Sequence, residues 1–243
     1  MNMYMSACER EREERDNKMA ASKQKQKQGG LAGKTILVTG CTGFIGAHVV
    51  IHLLRLEKEK GETVFVRGTV RRPGDSDKLV QLFEDGWTNR FSEHVLDITS
   101  EEKWDDVCSG CDIIMHVASP VSFINTDNEI ESVLKPALTG TFNVMKAAAR
   151  SGSVKKVVVT SSGGAVSAHW SPSSDKDFFY EHDFTEMWDP ACDIYCRSKT
   201  ASELSAWLFA SKPVIPRHVS KLVQLQKANL KDNQHHYFAP VSI

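Results

Sequence analysis

No apolar run in this 243-residue chain approaches the roughly 20 residues that cross a bilayer, so the sequence offers no transmembrane anchor. Charge of one sign is equally lacking. The 30 Lys and Arg face 31 Asp and Glu for a net charge of -1, which excludes a polyanion binder driven by global charge and a membrane-surface binder of the same kind. Cysteine is sparse at six residues, and residues 1–28 have no apolar stretch of the kind a secretory signal needs. The thiols are therefore expected reduced, in a cytoplasmic protein, and not as a disulfide framework. Internal repeats are absent, and low complexity is confined to the Lys/Gln run at 23–28. What remains is 41% hydrophobic and 25% charged, the composition of a globular chain with room for one large domain or two small ones.

The near-zero net charge conceals an asymmetry that marks boundaries. Residues 1–30 carry seven basic against five acidic side chains, residues 212–243 carry five against one, and residues 31–211 carry 18 against 25. The first segment has too little apolar surface to offset the entropy of ordering, and reads as a charged, disordered extension. The last reads as an atypical basic tail, in which Pro213 and Pro216 disfavour a strand.

Between them the periodicity alternates. Short β-branched runs at 35–39, 63–70, 93–96, 112–117 and 154–161 are separated by helical patterns at 47–58, 78–85, 101–108 and 130–150. Parallel neighbours need crossover connections, and helices supply them. The pattern predicts a five-stranded, mainly parallel, doubly wound α/β sheet.

Chemistry enters at the first turn. Thr39-Gly40-Cys41-Thr42-Gly43-Phe44-Ile45-Gly46 follows an apolar strand and opens a helix. In that context Gly40 permits a tight turn, Gly43 admits a pyrophosphate close to the backbone, and Gly46 allows close helix-to-strand packing, with the helix N-terminus directed at phosphate. The fold expectation becomes Rossmann-like. The second strand then ends in Val70-Arg71-Arg72-Pro73, without the acid that would bind the two ribose hydroxyls of NAD(H). Arginine suits a 2′-phosphate, so NADP(H) is expected ahead of NAD(H).

Tyr195 and Lys199 stand one helical turn apart, a spacing that lets an ammonium favour proton loss from a phenol. Hydroxyls at Thr160, Ser161 and Ser162 close the fifth strand, at the edge where open α/β sheets bind ligands.

These segments, together with Thr69-Val70-Arg71, Asp97-Ile98, His116-Val117-Ala118-Ser119-Pro120-Val121 and the Pro136 to Val144 stretch, occur in the order seen in extended short-chain dehydrogenase/reductases. Over residues 34–210 the chain most resembles the branch of dihydroflavonol and cinnamoyl-CoA reductases. The resemblance implies a small-molecule carbonyl or alcohol substrate, no nucleic acid and no membrane. It assigns catalysis to Ser162, Tyr195 and Lys199, with Ser162 polarising the substrate oxygen and Tyr195 donating its proton. It assigns the cofactor to Gly40, Thr42, Gly43, Phe44, Ile45, Gly46, Arg71, Lys78, Asp97, Ile98, Val117, Ala118 and Ser119, with Tyr195 and Lys199 at the nicotinamide ribose. An NAD-dependent hydroxysteroid dehydrogenase or epimerase of the same superfamily is the alternative enzyme.

Other features carry less. Cys108 and Cys111 have metal or redox spacing without a second pair and are expected on a surface turn, so no metal is assigned. Cys192 and Cys196 are expected as ordinary thiols, His116 as a packed histidine, Asn143 as a packing or backbone residue, and His235-His236 as solvated. Relatives of the resembled family continue into a sixth strand and a substrate domain, both expected to be largely missing here. That expectation leaves an open sheet edge suited to self-association, and makes a cofactor-binding isoform with little catalysis the second functional reading.

Overall fold

The computed structural model describes residues 30–120, 128–167, 179–180 and 183–211, with the backbone of 223–226. The N-terminal extension, His235-His236 and most of the stretch at 166–190, which the resemblance places near substrate, lie outside the described residues.

Six parallel strands form one sheet: β1 (Thr35–Thr39), β2 (Phe65–Val70), β3 (Phe91–Val95), β4 (Ile113–His116), β5 (Lys156–Thr160) and β6 (Val223–Gln226), in the order β3-β2-β1-β4-β5-β6. Every pairing is parallel, with β1 between β2 and β4. The crossovers carry α1 (Phe44–Lys60), α2 (Asp77–Val80), α3 (Trp104–Cys108), α4 (Lys135–Ser151), α5 (Gly164–Ser167) and α6 (Ile194–Ser211). A π-helical turn at Ile130–Leu134 leads into α4.

The sheet is covered on both faces, as the apolar run of β1 requires. Leu37 belongs to a core with Trp104, Val144, Met145 and Ala206, while its neighbours Ile36 and Val38 belong to another with Val50, Leu53 and Leu54. Successive strand residues point to opposite faces, so one strand serves both cores. On α1 the buried Gly46, Val49, Val50, Leu53 and Leu54 follow the helical repeat and make one packed stripe.

Two expectations are corrected. The sheet has six strands, and the sixth comes from the segment at 212–243 that was expected to supply none. Proline hinders a strand only where it would occupy the ladder; Pro213 and Pro216 precede Val223, and Val223-Gln224-Leu225-Gln226 alternates apolar and polar residues. Its pairing with β5 from Val157↔Val223 to Thr160↔Gln226 fills the edge that was expected to be open. Cys108 and Cys111 are fully buried and not on a surface turn, because α3 turns its Val107 and Cys108 face into the core. Burial, followed by the neighbouring Cys111 and Asp105, pushes the Cys108 thiol up to about 12, so it is unreactive as a thiolate.

Candidate active site

The carboxyl ends of the parallel strands converge, and nearly all the sequence-selected residues lie there. Gly40 leaves β1 with φ +68, the left-handed conformation that L side chains avoid, and its amide donates to Thr69 Oγ1 on β2 at 3.1 Å. A side chain on Gly46 would place Cβ 2.1 Å from the Gly40 carbonyl oxygen, so only glycine brings α1 this close to the turn. No side chain caps the N-terminus of α1 at Gly43. Phe44 and Ile45, 69% and 45% exposed, form the lip above it. A helix start of this kind directs backbone N–H groups and a partial positive charge outward, the arrangement that receives a pyrophosphate.

The end of β4 is bound into the same turn. Thr39 Oγ1 accepts the amide protons of Val117 (3.1 Å) and Ala118 (3.0 Å), and so donates its own proton to Nδ1 of His116 at 2.9 Å. His116 is buried, and its imidazole is held down to about 3, first by burial and then by the Lys199 charge. It is a neutral packed residue and not a base. In sequence Thr39 is legible only as the first residue of the glycine motif; a hydroxyl closing a strand just before a tight turn is the one signal it offers.

Arg71 and Arg72 stand exposed at the exit of β2. Arg72 folds back on Asp75, with Nη2 3.4 Å from Oδ1 and its amide 3.1 Å from Oδ2. Arg71 has no ion pair among the described residues. Lys78 is exposed on α2, and no hydrogen bond or ion pair among the described residues joins it to Arg71. At the exit of β3, Asp97 Oδ1 accepts the amide and hydroxyl of Thr99, and the Ile98 side chain packs over Gly140. Asn143 donates to the carbonyls of Ile98 (2.9 Å) and Ser100 (3.0 Å), holding this loop against α4 through its backbone.

The third group is assembled from β5 and α6. Lys199 is 6% exposed; its Nζ donates to the Thr160 carbonyl at 3.2 Å and stands 5.9 Å from the centre of the Tyr195 ring. Burial brings its ammonium down to about 8. Ser162, two residues beyond Thr160, accepts the Gly164 amide at 3.1 Å. The turn it starts rests on Cys196, since a Cβ on Gly164 would lie 2.6 Å from Cys196 Sγ. Tyr195 is the residue before that cysteine, so hydroxyl, phenol and ammonium are carried by two elements in direct contact. One turn after Lys199, buried Glu203 accepts the Ser161 hydroxyl. Sequence reasoning passed over Glu203, yet its i+4 spacing from Lys199 was the available signal. Cys192 and Cys196 are free and buried; burial first, then Asp193, pushes the Cys196 thiol up to about 12.

Residues 37–210 match the model of the 3-beta hydroxysteroid dehydrogenase/isomerase family. Dihydroflavonol 4-reductase of Arabidopsis thaliana is 34% identical over 190 residues, covering 74% of this chain and 46% of that enzyme. An anthocyanidin reductase of Vitis vinifera, described as (2S)-flavan-3-ol-forming, is 36% identical over 183 residues, covering 74% of this chain and 52% of its own length. Among solved structures, the yeast methylglyoxal/isovaleraldehyde reductase Gre2 complexed with NADPH aligns with a TM-score of 0.63 at 30% identity, covering 79% of this chain and 56% of that one. Vestitone reductase from alfalfa aligns with a TM-score of 0.58 at 26% identity, covering 79% and 55%. The chain spans about half the length of the relatives it matches.

Proposed function

The chain belongs to the 3-beta hydroxysteroid dehydrogenase/isomerase family, and from that premise we propose that it binds NADP(H) and serves the interconversion of an aldehyde or ketone with an alcohol. The reductases it resembles, one of them solved with NADPH, support this reading. The tight Gly40-to-Gly46 turn fits a dinucleotide pyrophosphate, with Thr42, Gly43, Phe44 and Ile45 along it. Arg71, with Lys78, is assigned to the 2′-phosphate, Asp97 and Ile98 to the adenine, and Val117, Ala118 and Ser119 to the adenosine ribose. The bound cofactor supplies the hydride.

The remaining work falls to the chain's own side chains. Ser162 donates its hydroxyl proton as a hydrogen bond to the substrate oxygen and orients the carbonyl. Tyr195 releases its proton to that oxygen as negative charge develops there. Lys199 binds the nicotinamide ribose and, when charged, favours the phenolate that Tyr195 leaves behind. The position of Lys199 carries the reading: it is held by the Thr160 carbonyl at 3.2 Å and lies 5.9 Å from the Tyr195 ring.

The test is NADPH oxidation by the 243-residue chain with a panel of aromatic and aliphatic aldehydes and ketones, beside Tyr195→Phe. Turnover that the substitution removes, with NADPH binding retained, supports the relay. Turnover indifferent to Tyr195→Phe overturns it. Cofactor binding without turnover identifies instead a binding protein, the second reading. Tighter binding of NADH than of NADPH overturns the Arg71 assignment.

A further inference from the structure

The loop from β2 to α2 is fixed from the neighbouring strand. Glu93, in the middle of β3, spreads its carboxylate across that loop: Oε1 accepts the Gly74 amide at 2.8 Å, and Oε2 accepts the Ser76 amide at 3.0 Å together with the Ser76 hydroxyl. These donors hold the Glu93 carboxyl below the usual range, the Ser76 hydroxyl contributing most. Gly74 takes φ +79, a conformation open to glycine, and Ser76 is buried at 3% exposure. The loop is therefore tied to the sheet at two points, 17 and 19 positions away in sequence. Inside it the Arg72–Asp75 pair closes the turn and engages one of the two arginines. Arg71, ahead of both ties, keeps an exposed guanidinium without an ion pair among the described residues.

From this arrangement we propose that Glu93 is a positioning residue for cofactor choice: by pinning Gly74 and Ser76 it holds the β2–α2 loop in the shape that presents Arg71 to the 2′-phosphate of the dinucleotide. The proposal rests on the NADP(H) reading above. A carboxylate on a strand next to a phosphate-binding loop is unfavourable by Coulomb repulsion unless other contacts offset it. Here the two oxygens meet three donors, which offsets much of that cost. A loop already fixed loses little further freedom when the phosphate binds, whereas a free loop loses it at that moment and weakens binding accordingly. A carboxylate is required because both of its oxygens accept; a glutamine turns one NH2 group toward either Gly74 or Ser76, donor against donor.

The experiment compares wild type, Glu93→Gln and Ser76→Ala by calorimetric titration with NADPH, NADH and 2′,5′-ADP, and records each melting temperature. Glu93→Gln is expected to weaken NADPH and 2′,5′-ADP about tenfold and NADH less than about twofold; Ser76→Ala, which keeps both amide ties, is expected to weaken NADPH about threefold. Equal loss for NADPH and NADH marks a general structural role and overturns the proposal, as do affinities that do not change. If Glu93→Gln fails to fold, Ser76→Ala decides: a selective loss of NADPH supports the proposal, and an unchanged NADPH-to-NADH ratio overturns it. Wild type that binds NADPH no better than NADH overturns the Arg71 assignment itself. Wild type that prefers NADPH, with variants that keep the same preference, overturns Glu93 alone.

Discussion

The carboxyl group of Glu203, buried within α6, accepts the hydroxyl of Ser161 at the end of β5, 42 positions away. With the Lys199 bond to the Thr160 carbonyl, it gives α6 two successive ties to the end of β5, from which the chain runs on to Ser162. Removing the carboxyl leaves a cavity and an unsatisfied hydroxyl. Glu203→Ala is expected to lower the melting temperature by about 5 to 10 °C, since leaving a buried polar group without its partner costs about 1 to 3 kcal/mol and each kcal/mol moves the midpoint by about 2 to 4 °C in a domain of this size. Glu203→Gln, which keeps an acceptor oxygen, should lose less than half as much. Thermal unfolding followed by circular dichroism measures both, and an alanine variant that melts with wild type would remove Glu203 from any role in the latch.

Lys199 makes stability depend on pH in a defined direction. Burial brings its folded-state value down from 10.5 to about 8, so below about pH 8 the fold bears the full cost of a buried ammonium. Between the two values the unfolded chain binds more protons at this position than the folded one, and stability rises with pH. Lys199→Met removes that dependence. The difference in unfolding free energy between wild type and variant should shift by up to about 3 kcal/mol in favour of wild type across this window. Urea unfolding at successive pH values tests it; curves that stay parallel would show that Lys199 does not titrate as its burial requires.

Much of this architecture is legible in local sequence because its causes are local. The alternation of β-branched runs with amphipathic stretches placed five strands within about two residues, and the glycine turn located the junction of β1 with α1. What escaped has non-local or unusual causes. Helix α1 begins at Phe44, earlier than its periodicity suggests, because Gly43 at its start provides no side-chain cap to read. Helix α3 begins only at Trp104, after Lys103 at φ 64, a backbone conformation that a lysine does not announce. The roles of Thr39, Glu93 and Glu203 depend on which strands lie side by side, and their partners stand 77, 17 and 42 positions away. Strand β6 needed the β5 edge to give its four residues a place.

Gly46 and Gly163 make a contrasting pair. A methyl group on Gly46 lies 2.1 Å from Gly40 O and 2.9 Å from Gly40 C, both backbone atoms, so either the glycine turn or the helix start must move. Gly163 has nothing within 4 Å of the same position among the described residues and no left-handed φ. Gly46→Ala is expected to cost about 3 kcal/mol or more and to abolish NADPH binding, while Gly163→Ala stays within about 0.5 kcal/mol of wild type. Denaturant midpoints and calorimetric titration check the pair; an alanine at 46 that binds NADPH normally would show that the turn has more freedom than its contacts allow.

His116 tests the junction of β1 and β4 atom by atom. Thr39 Oγ1 has both acceptor positions taken by the Val117 and Ala118 amides, so its proton goes to His116 Nδ1, and a neutral ring must then carry its own proton on Nε2. Burial and the nearby Lys199 charge bring the imidazole from 6.5 down to about 3. As pH falls below 6.5 the unfolded chain takes up a proton that the folded chain refuses, so this residue lowers stability progressively down to about pH 3. Nitrogen-15 correlation spectra of the imidazole should show the Nε2–H tautomer unchanged from about pH 8 to about pH 5. Thr39→Val removes the donor to Nδ1 and should free the ring to exchange tautomers, with a stability loss of about 1 to 3 kcal/mol. A wild-type His116 that titrates in the ordinary range, or that shows the Nδ1–H form, would overturn the hydrogen-bond assignment at Thr39.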